Sequence, residues 1–300
     1  IIILKKKNTT LVNDTKVITD FSDIYNENIK YKKKIILTPE GGIGNRINLI
    51  NFFYPYANKL KRKVYVNWKK TKGLNCDFKT LFYLPEFNLY SNNFNNKKIN
   101  VYTSNISNGT EYMETFIKNK KHIHELEYDK DDIVEFTAFE LKSKQNFFYK
   151  KLKPGHKVKT QIDDFFPKNR NIIGIHIRCS DRFNCLKNPL LSNIINYISD
   201  ISNKYPSYLL FLATDDVKIR QILKLIYGKR LIYSNIELVS NGNKMNSMRN
   251  TEQGIIDSVV DLFCLSYCQK LVGFKVGTFF DSAIKMSNLN KNDVYYIPLE

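Results

Sequence analysis

Four short polar clusters interrupt the apolar stretches of this chain, and each combines residue types that bind or activate a substrate. The first is Glu40-Gly41-Gly42-Ile43-Gly44-Asn45-Arg46. Glycines let a backbone approach a phosphate, and a helix starting behind them offers free N–H groups and partial positive charge. Alone, such a turn between strand and helix is weak evidence, and no Gly-Lys-Ser/Thr follows to make it a Walker loop. The second cluster is His176-Ile177-Arg178-Cys179-Ser180-Asp181, closing an isoleucine-rich run. In an extended segment His176 and Arg178 project to one face. A guanidinium buried there needs an anion, either a phosphate ligand or Asp181 in a structural ion pair. The third, Ala213-Thr214-Asp215-Asp216, holds a divalent cation or caps the next helix, and capping is the commoner use. The fourth is Asp257 and Asp261 among Ile255, Ile256, Val259, Val260, Leu262 and Phe263. Two carboxylates on so apolar a helix either meet donors or form an exposed polar stripe.

The elements around these clusters follow from hydrophobic periodicity. Lys34–Thr38 reads as a buried strand, and a helix runs from Arg46 to about Leu60 with Ile47, Ile50, Phe53 and Ala57 on one face. Val64–Val66 is the next strand, which makes a βαβ unit. Strand Ile99–Thr103, helix Glu111–Lys120, strand Ile133–Phe136 and helix Phe139–Lys151 follow, then a break at Lys153-Pro154-Gly155 and a helix from about His156 to Phe166. Beyond Pro167 the alternation is regular. Strands are expected at Ile172–Ile177, Leu209–Ala213, Arg230–Tyr233, Lys270–Gly273 and Val294–Ile297. Helices are expected at Leu190–Lys204, Val217–Tyr227, Thr251–Tyr267 and Thr278–Met286. This is the pattern of an α/β protein with parallel sheets covered by helices. It divides into an irregular arm over 1–33, a first α/β half over 34–166 and a second over 167–300. All four clusters fall at the carboxyl ends of strands or on a helix beside them, where open α/β sheets bind ligands.

Composition excludes several classes. The chain has 300 residues, 43% hydrophobic and 25% charged, the balance of a globular protein rather than a membrane span or a disordered tail. Its net charge of +18 fits a polyanionic partner, but Lys and Asn are spread throughout, which reads as solvated surface. A basic nucleic-acid-binding α/β protein is the alternative; no RRM, KH or zinc pattern supports it. The five cysteines are an odd number without a CxxC, so free thiols are expected, buried at Cys264 and Cys268. His122, His124, His156 and His176 are not spaced with them as zinc ligands, and His122 and His124 read as surface. Asp129-Lys130-Asp131 also reads as solvated surface. Sequons at Asn8, Asn13, Asn105 and Asn108 are what chance gives in an Asn-rich chain. The first residue is not Met, so the chain reads as part of something longer. Its compartment stays open between the cytoplasm and, with an upstream anchor, the secretory lumen.

Taken in order, the clusters resemble the GDP-fucose-dependent fucosyltransferase superfamily, which includes nodulation-factor and core α1,6-fucosyltransferases and the protein O-fucosyltransferases. The matching pieces are Gly41 to Arg46, Ile175 to Asp181, Phe211 to Asp216, and Gly254 to Ser266 running into Leu271-Val272-Gly273. Lys63–Phe82, with Trp68, Cys76 and Leu81-Phe82, also resembles bacterial and viral relatives. The match spans about residues 34–287, with 85–165 unmatched. The resemblance implies a GT-B architecture, two Rossmann-like domains with the donor between them, and inverting transfer from GDP-fucose to a glycan or protein hydroxyl. It implies no metal and no cofactor. Another nucleotide sugar, or a catalytically inactive relative, is the alternative within this architecture. Arg178 matches an arginine on the donor β-phosphate, His176 a residue beside the nucleotide, and Asp261 an aspartate that reads guanine. Gly42, Gly44, Asn45, Arg46, Asp216, Gly277 and Thr278 fall at or near donor-contact positions. Lys275-Val276-Gly277-Thr278 replaces the family's serine-rich loop, and Cys179 stands where a second arginine is frequent. Pro39-Glu40-Gly41 resembles the Pro-Glu-Gly of the O-fucosyltransferase acting on thrombospondin repeats, whose glutamate is the base. Glu40, Arg178 and Asp181 are therefore the catalytic candidates.

Overall fold

The computed structural model describes residues 31–300 except 72, 86, 90–98, 105–111, 139–140, 142, 144, 180–184, 236–250 and 300, with the side chains of 104 and 112–117 also left aside. The arm up to residue 30, the four sequons and Asp181 lie outside the described residues. In chain order the strands are β1 (Lys33–Pro39), β2 (Arg62–Val66), β3 (Phe82–Tyr83), β4 (Asn100–Ser104), β5 (Ile133–Ala138), β6 (Lys153–Pro154), β7 (Ile172–Ile177), β8 (Leu209–Thr214), β9 (Leu231–Ile232), β10 (Lys270–Gly273) and β11 (Val294–Tyr296).

Two parallel sheets organise the molecule. The first has the order β2-β1-β5-β4 and the second β11-β10-β7-β8-β9. Both are covered on their faces, which is why β1 carries Ile35, Ile36 and Leu37 in succession and β7 carries Ile172, Ile173, Ile175 and Ile177, rather than an alternating polar pattern. In the first sheet the strand order reverses around β1, and in the second between β7 and β10, the places where open α/β sheets in general bind ligands. A short antiparallel pairing of β3 with β6 ties the middle of the chain together.

The helix Ile43–Lys59 follows β1 and buries Ile47, Ile50, Phe53 and Ala57, the face its spacing implies. In the second half the helices Leu190–Lys204 and Val217–Tyr227 share a core with Ile173, Ile175 and Ile177 on one face of the sheet. On the other face, the helix Glu252–Tyr267 joins a larger core that also contains the first sheet. The two halves also meet through polar groups. Tyr149 donates its O–H to Asn48 Oδ1 at 2.7 Å, lies 3.1 Å from Ser282 Oγ, and Lys285 Nζ donates to the same Asn48 oxygen at 2.8 Å.

Some expectations need correction. The helix before the Lys153 break begins at Phe147, not Phe139, because Asn51 captures the chain there: its Nδ2 donates to Gln145 O at 2.6 Å and its Oδ1 accepts from Phe148 N–H at 3.1 Å. The helix expected over 111–120 extends over Tyr112–Tyr128. That extension places His124 on the surface but turns His122 inward against Tyr102 and Phe136. Asp129 is not solvated surface either. Its side chain is only 3% exposed and pairs with the buried Arg62, which also donates to Asp131 O at 2.7 Å. All five cysteines are free; Cys264 and Cys268 are buried as expected. Among the described residues no helix is long and apolar enough to cross a membrane.

Candidate functional site

The glycine turn after β1 is built around Arg46. Gly41 takes a φ of +77°, a left-handed conformation that favours glycine, and so turns the chain out of the sheet. Arg46 is fully buried. It donates from Nε to Gly41 O at 2.9 Å, from Nη1 to Lys69 O at 2.7 Å and from Nη2 to Thr71 Oγ1 at 3.0 Å. Its guanidinium also lies over the Trp68 ring at 4.9 Å. Burial pulls its pKa down to about 10, against the opposing pull of Glu40. Arg46 is thus a clamp on the turn, with each of its three nitrogens donating to a protein oxygen. Glu40 stands at the lip of this turn, half-buried, with its N–H donated to Ala138 O at 3.0 Å. Burial raises its carboxyl above the usual glutamate range, with Arg46 and Lys69 pulling the other way.

The two sheets approach each other at the start of two helices. Gly42 caps Ile43–Lys59, and Gly277, at a φ of +133°, precedes Thr278–Met286. A Cβ added to Gly44 would lie 2.6 Å from Thr278 O and 2.8 Å from its carbonyl carbon, so this glycine exists for the contact between the halves. A Cβ at Gly42 or Gly277 would meet nothing within 4 Å. The backbone is therefore open at both turns, at two helix N-termini where anions are favoured. Asn45, also buried, sits just inside the first. These contacts give a prediction. Gly44→Ala should lower stability by about 1–3 kcal/mol, since backbone must move to relieve the clash. Gly42→Ala should melt with the wild type. Equal melting temperatures for all three proteins would contradict this packing.

Arg178 follows β7 directly, and β7 lies next to β10, which leads to the second of these turns. His176, one turn of the pleat earlier, is buried and its ring stacks on Phe279 (5.2 Å, 25°) and Phe280 (5.7 Å, 10°) of the Thr278–Met286 helix. Burial first, then the neighbouring Arg178 charge, push its pKa down to about 3, so it stands as a neutral aromatic platform. Arg178 is half-buried rather than sealed in, so the demand for an anion is weaker than a fully buried guanidinium would impose. Its backbone is pinned on both sides: Cys179 N–H donates to Asp215 Oδ1 at 2.7 Å, and the Cys185 thiol donates to Arg178 O at 3.6 Å. Asp215 as a positioning residue does not emerge from the sequence clusters alone. Knowledge that β7 and β8 are neighbours, with Ile177 opposite Thr214, is what places Asp215 across from Arg178.

Asp216 caps the helix Val217–Tyr227, accepting from Lys218 N–H at 2.8 Å and Ile219 N–H at 3.0 Å. The capping use of that pair is the one the structure adopts at this oxygen. Asp257 and Asp261 are not an exposed stripe: they are 9% and 7% exposed. Gln253 Nε2 donates to Asp257 Oδ1 at 2.6 Å, and Ser234 Oγ donates to Asp261 Oδ1 at 2.6 Å. Burial pushes Asp261 up to about 7, opposed by the Ser234 hydrogen bond and Arg220, with Asp257 adding to the rise. The folded protein therefore holds a proton here between about pH 4 and 7 that the unfolded chain, at 3.8, has released. Stability attached to this group is present at low pH and lost as pH rises through that window. Asp261→Asn, which keeps an acceptor for Ser234, should raise the melting temperature more at pH 8 than at pH 5. A gap that is equal at both pH values would refute the assignment.

The structure brings Gly42, Gly277, Thr278, His176 and Arg178 to facing strand and helix ends, with Glu40 at the lip of the first turn. It sets Asp257 and Asp261 on the helix Glu252–Tyr267, beside Ser234 just past β9. Asp129 and Asp131 lie elsewhere, at the amino end of β5 on the opposite edge of the first sheet. Among the described residues no group of three or more His, Cys, Asp or Glu could hold a metal ion.

No protein-family model matches this sequence. No curated protein matches it significantly. Solved structures do match in fold. The fucosyltransferase NodZ from Bradyrhizobium superposes with a TM-score of 0.61 at 13% identity, over 85% of this chain and 94% of that one. POFUT1 in complex with GDP-fucose gives 0.55 at 10% identity, over 91% and 100%. FUT1 of Arabidopsis thaliana, solved as a variant in complex with GDP, gives 0.53 at 13% identity, over 90% and 73%. This chain shares the fold of those proteins.

Proposed function

We propose that this chain is an inverting, metal-independent glycosyltransferase that transfers fucose from GDP-fucose to a hydroxyl of a glycan or protein. In this reading residues 34–166 and 167–300 are the two Rossmann-like domains of a GT-B enzyme, acceptor side first and nucleotide side second. The observation that carries it is the packing of the two halves at Gly44 against Thr278, between the two glycine turns, with Arg178 following β7, the strand next to β10. The turns and Arg178 lie at the carboxyl ends of β1, β7 and β10, in a fold shared with proteins solved with GDP or GDP-fucose.

The chemistry follows from the groups present. The guanidinium of Arg178 binds the β-phosphate through two parallel N–H donors and stabilises the charge that builds as GDP departs. Asp261, in its ionised form, accepts the N1–H and N2–H of guanine, a pair of donors that uracil lacks. Ser234 takes one of the carboxylate's several acceptor sites and orients it. His176, neutral and stacked on Phe279 and Phe280, closes the floor beside the diphosphate. Glu40, across the cleft from the leaving group, takes the acceptor proton while the acceptor oxygen attacks the anomeric carbon from the opposite side. That in-line displacement inverts the carbon. The basic groups and helix ends around the diphosphate supply the positive charge that balances it, and Asp129 and the Asp131 carbonyl are engaged with Arg62 at the other edge of the sheet.

Calorimetric titration with GDP, UDP and GDP-fucose, each with and without EDTA, tests the reading. GDP and GDP-fucose should bind, UDP should bind at least tenfold more weakly, about 1.4 kcal/mol, and EDTA should change none of these. Equal affinity for UDP, or binding that EDTA abolishes, argues against it.

A further inference from the structure

We propose that Lys275 is a second cation of the donor diphosphate site, facing Arg178 from the neighbouring strand; the proposal rests on the GDP-sugar reading above. The argument begins with register. In the parallel pair β7 and β10, Gly273 lies opposite His176. Two residues further along, each chain carries a cation, Arg178 on one and Lys275 on the other. The residues of that pair look the same way. The His176 ring stacks on Phe279 and Phe280, and a Cβ added to Gly273 would lie 2.9 Å from the Phe280 ring and 3.0 Å from His176 O.

The intervening residue fixes the direction of Lys275. Phe274 is 2% exposed and packs into the core on the outer face of the second sheet. With Phe274 anchored there, the chain turns outward at Lys275 and Val276, both exposed, before Gly277 bends it into the helix Thr278–Met286. Lys275 therefore stands on the rim of the open space beside Gly277, at the reversal point of the sheet.

Its ammonium is also uncommitted among the described residues, unlike the lysines around it. Lys270 pairs with Asp293 at 2.9 Å and Lys285 with Asp281 at 2.7 Å. The acids at the end of β8 are engaged as well, Asp215 with Cys179 N–H and Asp216 with its helix cap. A diphosphate carries more than one negative charge, and a single guanidinium balances one. A lysine on a flexible stem suits the second role, a mobile point charge beside the fixed fork of Arg178.

The test is calorimetric titration of GDP and of guanosine into wild type, Lys275→Gln and Lys275→Arg, with melting temperatures measured alongside. Lys275→Gln should weaken GDP binding about tenfold or more, the scale of one charge-assisted contact. It should leave guanosine binding and the melting temperature unchanged, and Lys275→Arg should restore most of the GDP affinity. GDP affinity in Lys275→Gln equal to wild type overturns the role of Lys275 while the GDP-sugar reading stands. A parallel loss of guanosine binding also overturns it, since the effect is then not on the diphosphate. Absence of GDP binding by the wild type overturns the reading and the proposal together.

Discussion

Arg178→Ala is expected to cut transfer from GDP-fucose by about a hundredfold or more, the scale of losing one preorganised contact to a developing charge. The melting temperature should stay near that of the wild type, because the guanidinium is half-buried and not part of the core. The size of the effect rests on preorganisation. Arg178 leaves a fully buried strand, its carbonyl receives the Cys185 thiol, and the next N–H is held by Asp215. The backbone that carries the guanidinium is thus held in place as the leaving group gains charge. Arg178→Lys should fail almost as badly, since an ammonium cannot reproduce two parallel donors. Steady-state rates at saturating donor, with GDP affinity measured separately, check both variants. Near-normal turnover in either removes Arg178 from the reaction.

Glu40→Gln should lower kcat by about two to four orders of magnitude and leave GDP affinity nearly intact, as expected for loss of a general base. The competing role is structural, with Glu40 serving as partner of Arg46. The two attract each other through charge, but the hydrogen bonds of Arg46 go to Gly41 O, Lys69 O and Thr71 Oγ1 and leave Glu40 out. A structural Glu40 would lose stability and donor binding together on substitution, with kcat preserved in the folded fraction. Burial raises the Glu40 carboxyl, and a base must be ionised to act. The acid limb of the kcat profile should therefore fall above the usual glutamate range and disappear in Glu40→Gln. A stable, fully active Glu40→Gln protein would leave the base elsewhere.

Much of the second half was legible because its periodicity is strong and its turns are short. Ile172–Ile177, Leu190–Lys204, Val217–Tyr227, Lys270–Gly273 and Thr278–Met286 lie where the hydrophobic pattern puts them. The first half was harder for physical reasons. The helix Tyr112–Tyr128 continues through a run of lysines and histidines that reads as its end. Phe147–Lys151 is short because a side chain distant in sequence, Asn51, holds the preceding loop open. Side-chain roles were legible where chemistry is local, as at the Asp216 cap, and hidden where strand order decides. Arg46 looks like a phosphate ligand in sequence, beside glycines at a helix start. Only the turn and the loop at 69–71, folded against it, show that three of its five donors go to protein oxygens. Asp215 looks like half of an Asp-Asp pair, and the adjacency of β7 and β8 makes it the brace of Arg178.

The central claim is that these turns hold a GDP-sugar and cleave it with inversion. Proton NMR of GDP-fucose incubated with the protein, with water as the acceptor, tests this most directly because the anomeric signals report both events. Free GDP should accumulate, and the released fucose should appear first in the anomeric configuration opposite to that of the donor, before it equilibrates. Donor that stays intact, or fucose released first in the donor's own configuration, contradicts the account.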